Sequence, residues 1–276
     1  MHRVSAAGVE IPAIGLGTWK ITGPTCTEVV AAAVRGGYRH VDTAAIYRNE
    51  AEVGEGLRAA AVPRDQVFVT TKVWRDDLAE GQLERAAEAS LKRLGLDHVD
   101  LLLVHWPNRA VPLAETMRAL ARTKQRGLTR AIGVSNYPSA MVDEAVRLSP
   151  EPLATDQVEH HPYLSQRRVL EAVRRHGMAL TAYSPLAEGE VLRDPVVGDI
   201  ARTHGATPAQ VAIAWLIAQD GVVAIPKTAS PERALQNLKA AELRLTEAER
   251  ARIAGLARRD GRRISVADWV DWDPAD

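Results

Sequence analysis

Four side chains able to move or steer a proton stand out from their surroundings: Asp42 and Tyr47 in HVDTAAIYRNE, Lys72 in VFVTTKVW, and His105 in LLLVHWP. A carboxylate, a phenol, an amine and an imidazole gathered in one dry place could protonate a carbonyl oxygen and steady the charge that develops on it. Asp42, Lys72 and His105 each close a short β-branched or Leu-rich run. They follow one another at about the thirty residues that a strand-helix-strand unit takes. A buried Lys or Asp is costly alone, so the joint presence of Lys72 and Asp42 predicts an ion pair. In this reading Lys72, held by Asp42, places positive charge beside the Tyr47 hydroxyl and lowers its pKa from about 10 toward the working pH. His105 orients the carbonyl. Taken singly, each residue has an ordinary structural explanation as a cap, a surface ion pair or a packed loop residue. Together, at the same end of successive runs, they would need several unrelated explanations at once.

The elements that must position them alternate strictly. Strand-like runs AIGLG, YRHVD, VFVTT, VDLLLV, RAIGV, ATDQV, ALTAY and VVAIP are separated by helical patterns such as QLERAAEASLKRLG. Eight such units in 276 residues predict an α/β fold, a (β/α)8 TIM barrel, with chemistry at the C-terminal strand ends. The runs are too uniformly apolar for a sheet with one wet face. RVSAAGVEIP predicts an N-terminal hairpin turning at Ala7-Gly8 that plugs the far mouth. Two extra helices are expected, one in LRDPVVGDIARTHG and one after Leu245, where Thr246 and Glu249 form a capping box. No linker or charge block divides residues 1–276, so they are read as one domain.

Composition narrows the functions available. Thirty-five basic and 35 acidic residues balance, which removes the basic surface of a nucleic-acid binder. The single cysteine, Cys26, excludes an internal disulfide and a multi-cysteine metal site, and fits a reducing compartment, with cytoplasm the default. No segment has the apolar length of a signal peptide core or a membrane helix. A monomer acting on a small molecule is expected, with no nucleic-acid or membrane partner.

A cofactor site is also legible. Gly15-Leu16-Gly17 lacks the third glycine and downstream acid of a Rossmann fingerprint. An alternative anion site lies where Ile225-Pro226-Lys227-Thr228 leads into a helix carrying Arg233 and Asn237. Ser230 is the expected N-cap and Pro231 the first helical residue. Exposed amides there, with Lys227 and Arg233, would attract a phosphate. Trp19, Trp74 and Trp106 each follow a strand at the same mouth and would supply an apolar wall for a small substrate above Tyr47 and His105. Adjacent His160-His161 could suggest a metal-dependent hydrolase, but neighbours on an extended segment point to opposite sides, and no metal is expected.

Over nearly its whole length the chain resembles the aldo-keto reductase superfamily. The stretch Gly37 to Ala44, followed by Tyr47, Asn49-Glu50 and Val53-Gly54, is similar to that family's most specific motif. GLGTWK, TTKVW, LLLVHWP, IGVSNY and IPKTASPERALQN agree in order. The resemblance implies that Asp42, Tyr47, Lys72 and His105 form a catalytic tetrad, with Tyr47 donating a proton to a carbonyl reduced by hydride from NADPH. It further implies that Lys227, Thr228 and Arg233 hold the adenosine 2′-phosphate, with Ser230 beside them, and that Asn237 contacts the adenine. Gln236 stands where many members carry Glu. Ser135, Asn136 and Gln157 would surround the nicotinamide carboxamide, Tyr183 would stack on its ring, and Ser184 and Leu186 would follow the pyrophosphate. Gly17, Thr18, Trp19 and Asp42 complete the implied cofactor contacts. The short connection after His105 and the brief tail suggest an open pocket, most like the bacterial branch with 2,5-diketo-gluconate and methylglyoxal reductases. The rival is an NADP(H)-binding redox-sensing or regulatory module with little turnover, against which the intact tetrad weighs.

Overall fold

The β-branched and Leu-rich runs become parallel strands whose ends share one rim. The computed structural model describes residues 2–274. A hairpin of β1 (Arg3–Ala6) and β2 (Val9–Pro12) turns at Ala7 and Gly8, both at positive φ. Then come β3 (Leu16–Gly17), β4 (His40–Asp42), β5 (Phe68–Val73), β6 (Val99–Val104), β7 (Thr129–Ser135), β8 (Leu153–Glu159), β9 (Ala179–Tyr183) and β10 (Val222–Ala224). All eight pair in parallel, in sequence order. The first and last meet through bridges Ile14–Ala224 and Gly17–Lys227, closing the barrel. Closure needs a glycine at 17: a Cβ there would sit 2.8 Å from the Ile225 carbonyl oxygen.

Helices α1 (Gly23–Arg35), α2 (Glu50–Ala60), α3 (Gln82–Leu94), α4 (Leu113–Gln125), α5 (Ser139–Leu148) and α6 (Arg167–Arg175) alternate with the strands. The expected extra helix is α7 (Pro195–Thr203), started by Asp194, whose carboxylate accepts from the Val196 and Val197 amides. α8 (Pro208–Ile217) and α9 (Pro231–Leu238) complete the ring. The second extra helix is α10 (Glu247–Ala254), with the Thr246/Glu249 capping box in place.

Two apolar layers result. An outer layer joins strands to helices. An inner one stacks Phe68, Leu101, Leu103, Ala131, Ala154, Ala179 and Val223 on the hairpin residues Val4, Ala6 and Ile11. The hairpin thus seals the N-terminal end, and the cavity opens only where strands end in polar residues. Among the described residues no helix is long and apolar enough to cross a membrane.

Candidate active site

Asp42 closes β4 and Lys72 lies one residue before the end of β5. The Lys72 Nζ donates to Asp42 Oδ1 at 2.6 Å and to the Thr43 carbonyl at 2.8 Å. The amine side chain is 0% exposed and its partner 2%. In so dry a place the pair persists because each charge is met by the other and by fixed dipoles. The Gln157 amide supplies one of these, donating to Asp42 Oδ2 at 2.8 Å. Burial pulls the Lys72 pKa down, against the pull upward from Asp42.

Tyr47 ends a short 3-10 turn after β4, with its ring centroid 5.1 Å from Lys72 Nζ. The loop that carries it is pinned by Asn49, which accepts from Thr43 Oγ1 and donates to the Thr18 and Ile21 carbonyls. Glu50, buried, accepts from Thr71 Oγ1 and Arg93 Nε. The Asn49-Glu50 dipeptide therefore holds Tyr47 over the barrel rather than touching anything in the cavity.

One expectation is overturned. Desolvation, then the negative charge of Asp42, push the Tyr47 pKa well above its ordinary value rather than below it. The charge of Lys72 is largely cancelled by its own partner, so it does not act as a free cation on the phenol. Tyr47 is a phenol that keeps its proton until something in the cavity demands it.

His105 follows β6, edge-on to Tyr47 at 5.6 Å and to Trp74 at 5.3 Å between ring centroids. Burial, then Lys72, hold its pKa well below the usual imidazole value, so the ring is neutral. Nδ1 is buried without a partner. A proton on Nε2 leaves only a bare lone pair sealed off at Nδ1 and gives the cavity a second donor beside Tyr47.

Asp42, Tyr47 and His105 line a cavity of about 260 Å³ together with Gly17, Thr18, Trp19, Asn136, Gln157, Tyr183, Ser184 and Lys227, with Lys72 buried behind Asp42. Trp74 and Trp106 form its apolar wall, joined by Ile46, Ile225, Ile264 and Val266. Asn136, at φ 66°, donates to the His105 carbonyl and accepts from the Tyr183 hydroxyl at 2.8 Å. Ser135 lies behind it, donating to the Gln157 carbonyl.

Other expected residues lie outside the cavity lining. Leu186 is one of them: it packs against the outer apolar layer while Ser184 and Pro185 face the cavity. Thr228, Ser230 and Arg233 gather at the start of α9, with Gln236 and Asn237 in its last turn. There Ser230 caps by accepting from the Arg233 amide, and Arg233 Nε donates to Thr228 Oγ1. The C-terminal segment supplies Ile264 and Val266 to the wall, a contribution that the sequence does not assign. That segment has no period to read, and its apolar residues come singly or in pairs. The His160-His161 pair is spent structurally: His160 Nδ1 meets the Leu164 carbonyl, and His161 Nε2 donates to Glu159. Among the described residues, no group of three or more His, Cys, Asp or Glu could hold a metal ion.

Comparison with known proteins places this geometry. The model of the Aldo/keto reductase family matches residues 13–258. Methylglyoxal reductase DkgB of Escherichia coli O157:H7 is 41% identical over 251 residues, covering 90% of this chain and 94% of that one. A crystal structure assigned to a 2,5-diketo-D-gluconic acid reductase B superposes with TM-score 0.96 at 44% identity, covering 99% of this chain and 98% of the other. A point mutant of Gox0644, solved in complex with NADPH, gives TM-score 0.88 at 36% identity, covering 95% of this chain and 96% of its own.

Proposed function

Because the chain belongs to the aldo/keto reductase family, and so is an oxidoreductase, we propose that it reduces small neutral aldehydes of the methylglyoxal type with NADPH. The observation that carries this reading is the pairing of two neutral proton donors, Tyr47 and His105, in one apolar cavity with Asp42, which a dry Lys72 meets from behind.

The cofactor fits the donor set. Lys227 and Arg233 are cationic, α9 presents its N-terminal end beside Thr228, and the cavity continues from Lys227 past Tyr183 to the tetrad. Lys227, Thr228 and Arg233 would hold a 2′-phosphate, and Asn136, Gln157 and Tyr183 the nicotinamide. The bound dinucleotide supplies a hydride. The chain's own residues supply everything else. Tyr47 gives its proton to the carbonyl oxygen, His105 Nε2 orients that oxygen and shares its developing charge, and Trp74 and Trp106 exclude water. Lys72 and Asp42 lend the phenolate a balanced pair to face once its proton has left.

The wall chooses the substrate. Asp42, already paired, and Lys227 at the cofactor end are the charged side chains that line the cavity. Arg75 lies outside it, donating to the Val266 carbonyl and facing the Trp74 ring. A keto-sugar acid would leave its carboxylate without a cation at the substrate end, whereas a neutral aldehyde meets only apolar walls and two donors.

Tyr47→Phe removes the proton but keeps the ring. NADPH affinity should stay near wild type while turnover of methylglyoxal and aromatic aldehydes falls by about 10³-fold or more. A variant that oxidises NADPH as fast as wild type against these aldehydes would overturn the assignment.

A further inference from the structure

The described residues after α10 form neither helix nor strand, yet their path is fixed at several points. Glu159, the last residue of β8, is fully buried and aims its carboxylate at the backbone of this segment. Its Oε1 accepts from the Arg263 amide at 2.9 Å and from His161 Nε2 at 3.0 Å. Its Oε2 accepts from the Ile264 amide at 3.0 Å and from the Arg263 amide at 3.1 Å. Just before this dipeptide, Gly261 passes so close to Tyr163 that a Cβ would meet its carbonyl oxygen at 1.9 Å. Arg263 also pairs with Glu190. At the far end, Asp273 accepts from the Ser139 amide at the start of α5, and the Arg262 guanidinium stacks 3.7 Å above the Trp272 ring. Between these anchors Ile264 and Val266 form part of the cavity wall.

A buried carboxylate beside the catalytic mouth is costly unless its oxygens are fully used. Here two adjacent backbone amides use them, so the same contact that satisfies Glu159 also fixes where Ile264 stands. A Gln in its place has one acceptor oxygen and turns an NH2 group toward amides that need an acceptor. An Asp is one methylene short.

We propose that Glu159 is a positioning residue: it clamps the Arg263-Ile264 backbone and thereby sets KM for carbonyl substrates long enough to reach Ile264 and Val266. It touches neither substrate nor cofactor. The kinetic half of this inference rests on the reductase reading; the clamp itself does not.

The clamp is read by hydrogen exchange over residues 261–268 of the full chain. In Glu159→Gln, exchange of this segment should quicken by about tenfold or more while β5 and β6 stay protected. In the kinetic arm, KM for a bulky aromatic aldehyde such as 4-nitrobenzaldehyde should rise about tenfold. For methylglyoxal it should stay within about threefold, with NADPH affinity within about twofold, because those ligands sit elsewhere in the cavity. Gly261→Ala, which displaces the same dipeptide from the other side, should reproduce the size-dependent split if Glu159→Gln fails to fold. In an Ile264→Ala background the Glu159 substitution should add little. Unchanged exchange in the segment overturns the clamp. Equal KM losses for both aldehydes, or weakened NADPH binding, overturn the positioning role. A wild-type protein that oxidises no NADPH with any aldehyde defeats the reductase reading and leaves the exchange experiment to decide the clamp.

Discussion

The two ends of the barrel each carry a buried acid with basic partners, and they use it differently. At the C-terminal rim, Asp42 has one cation, Lys72, at 2.6 Å with side-chain exposures of 2% and 0%. At the N-terminal end, Asp100 accepts from Arg64 at 2.7 Å and from the Val69 amide at 2.9 Å, with Arg130 at 3.3 Å. Arg64 and Arg130 are 28% and 50% exposed. Asp100 is thus redundantly paired with cations that reach water, a fastening for the strand starts, while the hairpin fills the barrel beside it. Asp42 and Lys72 have no spare counter-charge, and the groups around them, Tyr47 and His105, keep their neutral forms facing a cavity. On the proposed function, an ion pair serves a reaction site when it is dry, unique and next to unspent donors. Partnership alone does not suffice.

The strongest attempt to break this contrast is Lys72→Met. It leaves Asp42 buried with only the Gln157 amide, which should cost about 3–5 kcal/mol of stability. Turnover should fall by about 10³-fold as well, since the phenolate then faces an unbalanced negative charge. Urea unfolding and NADPH oxidation on the same preparation measure both. A variant losing less than about 1 kcal/mol would mean that the Lys72 site is as forgiving as a surface pair.

How much of this was legible in the sequence follows from what each feature depends on. The strands, both extra helices and the Ser230 cap were readable because apolar period and capping chemistry are local. That Asp42, Lys72 and His105 come together was readable because each closes such a run, with Tyr47 in the turn that follows the first. The sign of the Tyr47 shift was not, because it depends on how dry the hydroxyl is and how completely Asp42 cancels Lys72. The Glu159 clamp escaped notice because its partners lie 104 and 105 residues away, in a segment with no period. A signal was present nonetheless: Glu159 closes its strand at the C-terminal rim, as Asp42 does.

Acid should sharpen the contrast next. Burial holds the pKa of His40, His105 and His160 below the ordinary imidazole value, that of His160 at about 4. Below pH 6.5 the unfolded chain takes up protons that the folded one refuses. Their contribution is therefore complete above that pH and is lost as pH falls toward the folded values. For His160 alone the loss from pH 6.5 to 4 is about 3 kcal/mol. Unfolding midpoints followed from pH 7.5 to 4.5 should fall steeply in the wild type and less steeply in His160→Gln. A wild-type midpoint that does not change down to pH 5 would mean that these rings are wetter than the structure has them.

The smallest effect is expected at the other end, and it matters because it is small. Arg64→Met removes a partner of Asp100 and the donors to the part-buried Val67 and His98 carbonyls, but Asp100 keeps Arg130 and the Val69 amide. The expected cost is about 1 kcal/mol, with turnover and KM within about twofold of wild type. A loss of about 3 kcal/mol or more would place Asp100 with Asp42 as an acid that depends on one partner. A change in turnover without a change in stability would show that the strand starts and the reacting rim are coupled through the barrel. That result would undo the separation of a fastened end from a reacting end on which the comparison stands.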